Sequence, residues 1–176
     1  MPPLPSPSPP KPKRPSDEDA DEIIPNVWIG NARTALNPAW LSRNKIQVVF
    51  NCTKTVEFHP SVPHQYRVPV DDNLQPAEIQ NMARWAPEIA YKILREYKAG
   101  HRILIHCHAG IQRSATATAF FLMVLTGRPL IQVMYLIQSR RRITFQPTAN
   151  FASALREFEE QVRTQILPVV NPSLVV

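Results

Sequence analysis

Only four glycines and two cysteines are spread through these 176 residues, and that scarcity excludes several kinds of site. A GxGxxG dinucleotide loop needs its glycines bunched into one turn, whereas Gly30, Gly100, Gly110 and Gly127 stand far apart. A GxxxxGK[ST] nucleotide loop is absent too. Cys52 and Cys107 are too few and too distant for a CxxC zinc knuckle or a disulfide framework. No apolar run approaches the roughly 18 residues of a membrane span, and the N-terminus lacks the apolar core of a signal peptide. These absences predict a soluble chain in a reducing, cytoplasmic compartment.

Proline is abundant instead, with 19 in all and eight of them in the first 15 residues. Residues 1–22 offer almost nothing to bury and end in an acidic run, Asp17 to Glu22, so they read as a disordered tail. Beyond them lie 17 basic and nine acidic side chains, which raises the formal charge from +6 for the whole chain to +8 for the body. A basic body suits an anionic partner such as a phosphate group, nucleic acid or a membrane surface. Apolar residues recur from Ile23 onward. One domain is expected over 23–165, with an apolar tail over 166–176 that contains LPVVNPSLVV.

Strand-length apolar runs stand at Asn26–Ile29, Ile46–Asn51, Tyr66–Val70 and Arg102–His106. Helical spacing marks Ala77–Lys98, Ser114–Leu125, Pro129–Ser139 and Asn150–Thr164, and Pro87 predicts a kink or two abutting helices within the first. Strands alternating with helices predict an α/β domain with a mostly parallel sheet of about four or five strands flanked by helices. Ligands of such sheets sit beyond the carboxyl ends of the strands, which directs attention to the loop after His106.

That loop reads His106-Cys107-His108-Ala109-Gly110-Ile111-Gln112-Arg113-Ser114. It leads from a buried strand into a buried helix, whose first amides lack intrahelical partners and converge where the helix dipole is positive. Gly110 permits a backbone angle that a side chain resists. Arg113 offers a planar fork that fits two phosphate oxygens. A cysteine in this setting is largely thiolate, a nucleophile aimed at phosphorus in an oxyanion cradle. By chance the combination arises in roughly one of tens of thousands of such chains. A proton donor is also needed, and beyond residue 22 only two aspartates exist, Asp71 and Asp72. From composition alone either one serves.

HCHAGIQRS matches the HCxxGxxR[ST] motif, and the chain resembles the cysteine-based protein tyrosine phosphatases, in particular the compact dual-specificity branch. IPNVWIGN (24–31), VPVDDN (68–73) and SRRRITFQPTANF (139–151) resemble that branch's opening strand, acid loop and lead-in to the last helix. The resemblance implies a phosphocysteine intermediate formed by Cys107, with phosphate held by Arg113 and the loop residues His108, Ala109, Gly110, Ile111 and Gln112. It implies Asp72 as general acid and base, Ser114 as the group that stabilises the departing thiolate, and His106 as support for the loop and thiolate. It requires no metal and no cofactor. The implied substrate is a phosphoprotein, with a short stretch between Trp28 and Asp72 leaving a shallow cleft open to phosphotyrosine, phosphoserine and phosphothreonine. RNA 5′-phosphatases, phosphoinositide phosphatases and non-catalytic phosphoprotein-binding modules are the alternatives. Gln112, often Ser or Gly in such loops, is expected at the pocket rim or on substrate. Thr148, where Asn is common, puts one loop-supporting hydrogen bond in question.

Other signals have plainer readings. Pro9 to Arg14 fits PxxPx[KR], an SH3-ligand pattern, though such a tail is more often unengaged. Ser6-Pro7 and Ser8-Pro9 fit proline-directed phosphosites, and Lys11–Arg14 is a short, proline-broken run of the nuclear-entry kind. Arg140–Arg142 reads as the solvated end of a helix sooner than as a docking patch. His59, His64 and His101 show no metal-like partners in the sequence. Cys52 reads as a small core residue sooner than as a partner for oxidised Cys107.

Overall fold

In the computed structural model, residues 19–166 are described. The SH3-type, phosphosite and basic motifs of the tail, and the apolar segment from residue 167 on, lie outside them. Five strands form one sheet in the order β1-β2-β5-β3-β4: β1 (Ala20–Ile24), β2 (Val27–Gly30), β3 (Val48–Asn51), β4 (His64–Arg67) and β5 (Ile103–His106). All pairings are parallel except β1 with β2. The expected mostly parallel α/β sheet is therefore present. Strands β2, β3 and β5 are buried at every residue, as strands covered on both faces must be. β5 lies at the centre, so the segment leaving its carboxyl end emerges in the middle of the sheet.

The acidic tail expected over 1–22 ends earlier than its composition suggests. Residues 20–24 form the edge strand β1, with Ala20 paired to Gly30 and Glu22 to Trp28. Asp21 and Glu22 stay accessible while Ala20 and Ile23 are buried, one in each of the two cores, so two adjacent charges in a short edge strand looked like charge in a tail. The third strand is also shifted. Pairing covers His64–Arg67, and the chain leaves the sheet at Val68, whose N–H donates to the Asn51 carbonyl at 2.9 Å. Pro69 has no N–H with which to continue the ladder.

Two short helices follow β2, α1 (Ala32–Ala35) and α2 (Pro38–Arg43). Each is started by an asparagine: Asn31 accepts from the Thr34 N–H at 3.0 Å and Asn37 from the Trp40 N–H at 3.1 Å. They cover one face of the sheet with a small core of Trp28, Trp40, Leu41, Val49, Val62 and Leu104. The other face carries the main core beneath α3 (Pro76–Lys98), α4 (Arg113–Thr126), α5 (Leu130–Arg140) and α6 (Ala152–Gln161), which ends in a π-turn over Val162–Ile166. α3 runs as one helix through Pro87 rather than as two. Met82 and Ala86 on one side of the proline, and Ile89, Ala90 and Ile93 on the other, are buried in the same core, which anchors both halves.

α4 is the central helix. Every residue from Arg113 to Met123 is buried, and Phe120 meets Phe158 of α6 edge to face at 5.0 Å. Truncating such a ring costs about 3–5 kcal/mol. That packing fixes the N-terminus of α4 directly after β5.

Candidate active site

Cys107 leaves the end of β5 and is 3% exposed. Its Sγ lies 3.3 Å from the Ser114 Oγ in the first turn of α4. Burial alone would raise the thiol pKa. Hydrogen bonds from the Ser114 hydroxyl and amide, the Arg113 charge and the Ile111 amide outweigh burial, and the net shift is downward. Cys52, wholly buried in the main core, is shifted the opposite way by its burial, with Cys107 adding to the effect. The two thiols thus differ in kind: the surroundings of Cys107 favour its thiolate and those of Cys52 oppose one.

The loop between them and α4 is tightly held. Gly110 has φ of +68°, and a Cβ there would stand 2.7 Å from the Gly30 carbonyl oxygen at the end of β2. Both the backbone angle and the close approach demand glycine. The His108 carbonyl accepts from the Ala32 N–H at 3.1 Å and the Ile111 carbonyl from the Phe145 N–H at 3.0 Å. Arg141 Nε donates to the Gly110 carbonyl at 2.8 Å and its Nη2 to the Ala109 carbonyl at 3.3 Å. With their carbonyls drawn outward to these donors, the loop peptides leave their amides for the opposite side, where an anion would sit. His108 and Ala109 are exposed, Ile111 half-buried.

Arg113 lies beside the loop, with Nη1 donating to the Val70 carbonyl at 3.0 Å. Its Nε is buried and has no partner, a costly arrangement for a charged donor unless a ligand supplies the acceptor. His106 is fully buried. Desolvation lowers its pKa to about 4, so at neutral pH the ring is uncharged. Its Nδ1 donates to the Cys107 carbonyl at 3.3 Å, and Nε2 is unpartnered.

The two aspartates have different surroundings. Asp71 is fastened: its carboxylate meets Lys54 Nζ at 2.8 Å and its N–H donates to Glu78 Oε2 at 2.8 Å. Asp72 is exposed and has a single neutral donor, Asn150 Nδ2, at 2.8 Å from Oδ1. The carboxyl group free of a cationic partner among those two is therefore Asp72.

Gln112 does not stand at the pocket rim. It is 5% exposed, and its Nε2 donates to the carbonyls of Gln146 at 2.9 Å and Thr148 at 2.8 Å. Its Oε1 accepts from the Asn150 N–H at 3.0 Å. The amide side chain spends its hydrogen-bonding capacity on the segment before α6, and thereby on Asn150 and Asp72. It also supports that segment directly, at the position where Thr148 replaces the usual asparagine. The arginine run is corrected likewise. Arg141 is 2% exposed, held between the loop carbonyls and Asp21 Oδ2, 2.8 Å from its Nη1. Neither Arg141 nor Asp21 was recognisable beforehand, since one hid in a basic run and the other in an apparent tail.

The family model "Dual specificity phosphatase, catalytic domain" matches residues 27–161. The chain belongs to the dual-specificity phosphatase family. Human dual specificity protein phosphatase 16 is 29% identical over 145 residues, covering 81% of this chain and 21% of that protein. Human dual specificity protein phosphatase 1 is 32% identical over 142 residues, covering 80% of this chain and 37% of that protein. The chain thus spans well under half the length of these curated relatives. The crystal structure of human DUSP28 superposes with a TM-score of 0.72 at 24% identity, covering 90% of this chain and 99% of that one, and attests the same dual-specificity phosphatase fold.

Proposed function

We propose that the protein hydrolyses phosphotyrosine and phosphoserine or phosphothreonine in phosphoproteins through a phosphocysteine intermediate. The observation that carries this is the pairing of a thiol of lowered pKa, Cys107, with a buried guanidinium, Arg113, whose Nε has no acceptor. Thiolate and cation beside the loop amides form a cradle for a tetrahedral dianion with the nucleophile beneath it.

Cys107 Sγ attacks phosphorus, the S–P bond forms and the ester P–O bond breaks. Asp72 gives its proton to the departing oxygen. The Asp72 carboxylate then takes a proton from water as that water attacks phosphorus. The P–S bond breaks, inorganic phosphate leaves, and the Ser114 hydroxyl donates to the returning thiolate. Arg113 and the loop amides from His108 to Arg113 hold the equatorial oxygens through both steps. Each proton and electron pair is supplied by these side chains and water.

Breadth of substrate rests on the surroundings of the loop. The chain between Trp28 and Asp72 contains only α1, α2 and two short strands, so no added segment builds deep walls around the cradle. No helix among the described residues is long and apolar enough to cross a membrane, which agrees with a phosphoprotein substrate and a cytoplasmic setting.

Hydrolysis of an aryl phosphate, then of phosphotyrosyl and phosphothreonyl peptides, a phosphoinositide and 5′-triphosphate RNA, tests this reading. Turnover of both peptides above the other two is expected, with Cys107→Ser inactive. Activity surviving Cys107→Ser would overturn the mechanism. Preference for the lipid or the RNA would overturn the substrate class, and peptide binding without turnover by the native chain would overturn catalysis itself.

A further inference from the structure

The sheet has a second cluster of chemistry-bearing side chains, at the end away from Cys107. His64 opens β4, Glu96 lies in the last turns of α3, and His101 stands in the turn between α3 and β5. Their spacing in sequence gives no hint of a common site, yet the fold brings them together. His64 Nδ1 lies 3.1 Å and His101 Nδ1 2.6 Å from the same atom, Glu96 Oε2. One ligand atom from each residue lies within 4.8 Å of the others. The two imidazoles meet edge to face at 4.9 Å.

We propose that His64, Glu96 and His101 form a binding site for a divalent transition-metal ion of the zinc class, outside the catalytic centre. Two imidazoles and one carboxylate are a donor set that suits Zn²⁺, whereas Mg²⁺ and Ca²⁺ require mostly oxygen. Tetrahedral coordination with bonds of about 2.0–2.2 Å places ligand atoms roughly 3.3 Å apart. The two separations from Glu96 Oε2 are somewhat shorter than that and all three ligand atoms lie within 4.8 Å of one another, so modest side-chain adjustments admit the ion.

The surroundings fit a ligand set as well. Tyr66 donates its hydroxyl proton to Glu96 Oε1 at 2.5 Å, and Arg95 Nη2 donates to the Tyr66 oxygen at 2.8 Å. This outer layer turns the carboxylate so that Oε2 faces both rings, the orienting role that hydrogen-bonded neighbours have around metal ligands. Glu96 is 6% exposed and fixed, while His64 is 43% and His101 26% exposed. The open side admits the ion and leaves a fourth position for water. For a neutral ring, binding moves the proton from Nδ1 to the solvent-facing Nε2, and the metal takes the place of the shared hydrogen bonds. The ion would tie the amino ends of β4 and β5 to α3 and take no part in the Cys107 reaction.

Cys107→Ser protein, full length, removes the thiolate that would otherwise compete for metal. Calorimetric titration with ZnCl₂ is expected to show one equivalent bound, with a rise in unfolding temperature. Titration with CoCl₂ is expected to give the visible absorption of tetrahedral cobalt. All three signals should be lost on adding His64→Ala and His101→Ala. Circular dichroism without metal checks that this variant folds, and His101→Gln alone replaces it if it does not. Absence of stoichiometric zinc uptake, or uptake unchanged by the histidine substitutions, would overturn the site.

Discussion

The two ends of the sheet handle buried polar groups in opposite ways. At the carboxyl end, Arg113 Nε and His106 Nε2 are buried without partners, although the backbone around them is densely tied by Arg141, Ala32 and Phe145. At the amino end, Glu96 is buried with both oxygens occupied by Tyr66, His64 and His101. Proteins rarely leave buried polar atoms unsatisfied, and a buried charged donor without an acceptor, such as Arg113 Nε, marks a place where a ligand completes the bonding. A rigid frame around an unpaired donor is ready for a ligand as it stands, while the paired cluster ties β4, α3 and the turn before β5 together and takes up a ligand only by exchanging its own hydrogen bonds.

Breaking the unpaired end should have the largest effect. Arg113→Lys keeps the charge and loses the planar fork, including Nε. A fall in kcat of about 10²–10³ on an aryl phosphate is expected, the usual consequence of losing one oxyanion-stabilising group. Binding of inorganic phosphate, read by competitive inhibition, should weaken in parallel. A change under about tenfold would show that Nε does not meet the phosphate.

The same contrast predicts two separate responses to acid. His106 has its folded pKa lowered to about 4 from an unfolded value of 6.5. Between those values the unfolded chain binds the proton and the folded one does not, so stability falls as pH drops from 6.5 and levels off near 4, by about 3 kcal/mol. His106→Gln should flatten this window in denaturant melts. Glu96 is lowered to about 2: burial would raise it, but the hydrogen bonds from Tyr66, His101 and His64 prevail. Its contribution is complete above the unfolded value of 4.5 and is lost as pH falls toward 2. With partial solvent screening through the histidines it amounts to about 2 kcal/mol. Glu96→Gln should remove that lower window and leave kcat at neutral pH unchanged. If each substitution altered the other's window, the two ends would be one cooperative network rather than two independent ones.

What the sequence made legible follows the same division. The loop proposed to hold phosphate is contiguous, so His106 to Ser114 carry both its motif and its spacing in one stretch. The groups that hold it are distant in sequence: Asp21, Arg141 and Asn150 reach it only through the fold. Arg141 also stands between two other arginines, where composition suggests solvent. β1 was hidden because its five residues show no clean alternation, the register being irregular after Glu22, and two of them are acidic. The helices α1 and α2 are too brief for periodicity, although the caps Asn31 and Asn37, with Pro38 directly after the second, mark their starts. His64 and His101 had no visible partner because Glu96 looks like one more charge on a helix.

Gln112 joins the loop to Asp72, the proposed acid, and there the smallest effect is expected. Its amide holds the carbonyls of Gln146 and Thr148 and the N–H of Asn150, whose side chain in turn donates to Asp72. Gln112→Ala leaves Cys107 and Arg113 untouched but frees the segment that positions Asp72. A roughly tenfold fall in kcat is expected on substrates whose leaving group needs protonation, a fraction of what loss of the acid itself costs. An aryl phosphate with an acidic phenol, which departs without help, should show little change. Combined with Asp72→Asn, the substitution should add nothing further, because residues acting through one group are not additive. An equal loss on both substrates, or an additive loss in the double variant, would place Gln112 among the supports of the cradle rather than of the acid.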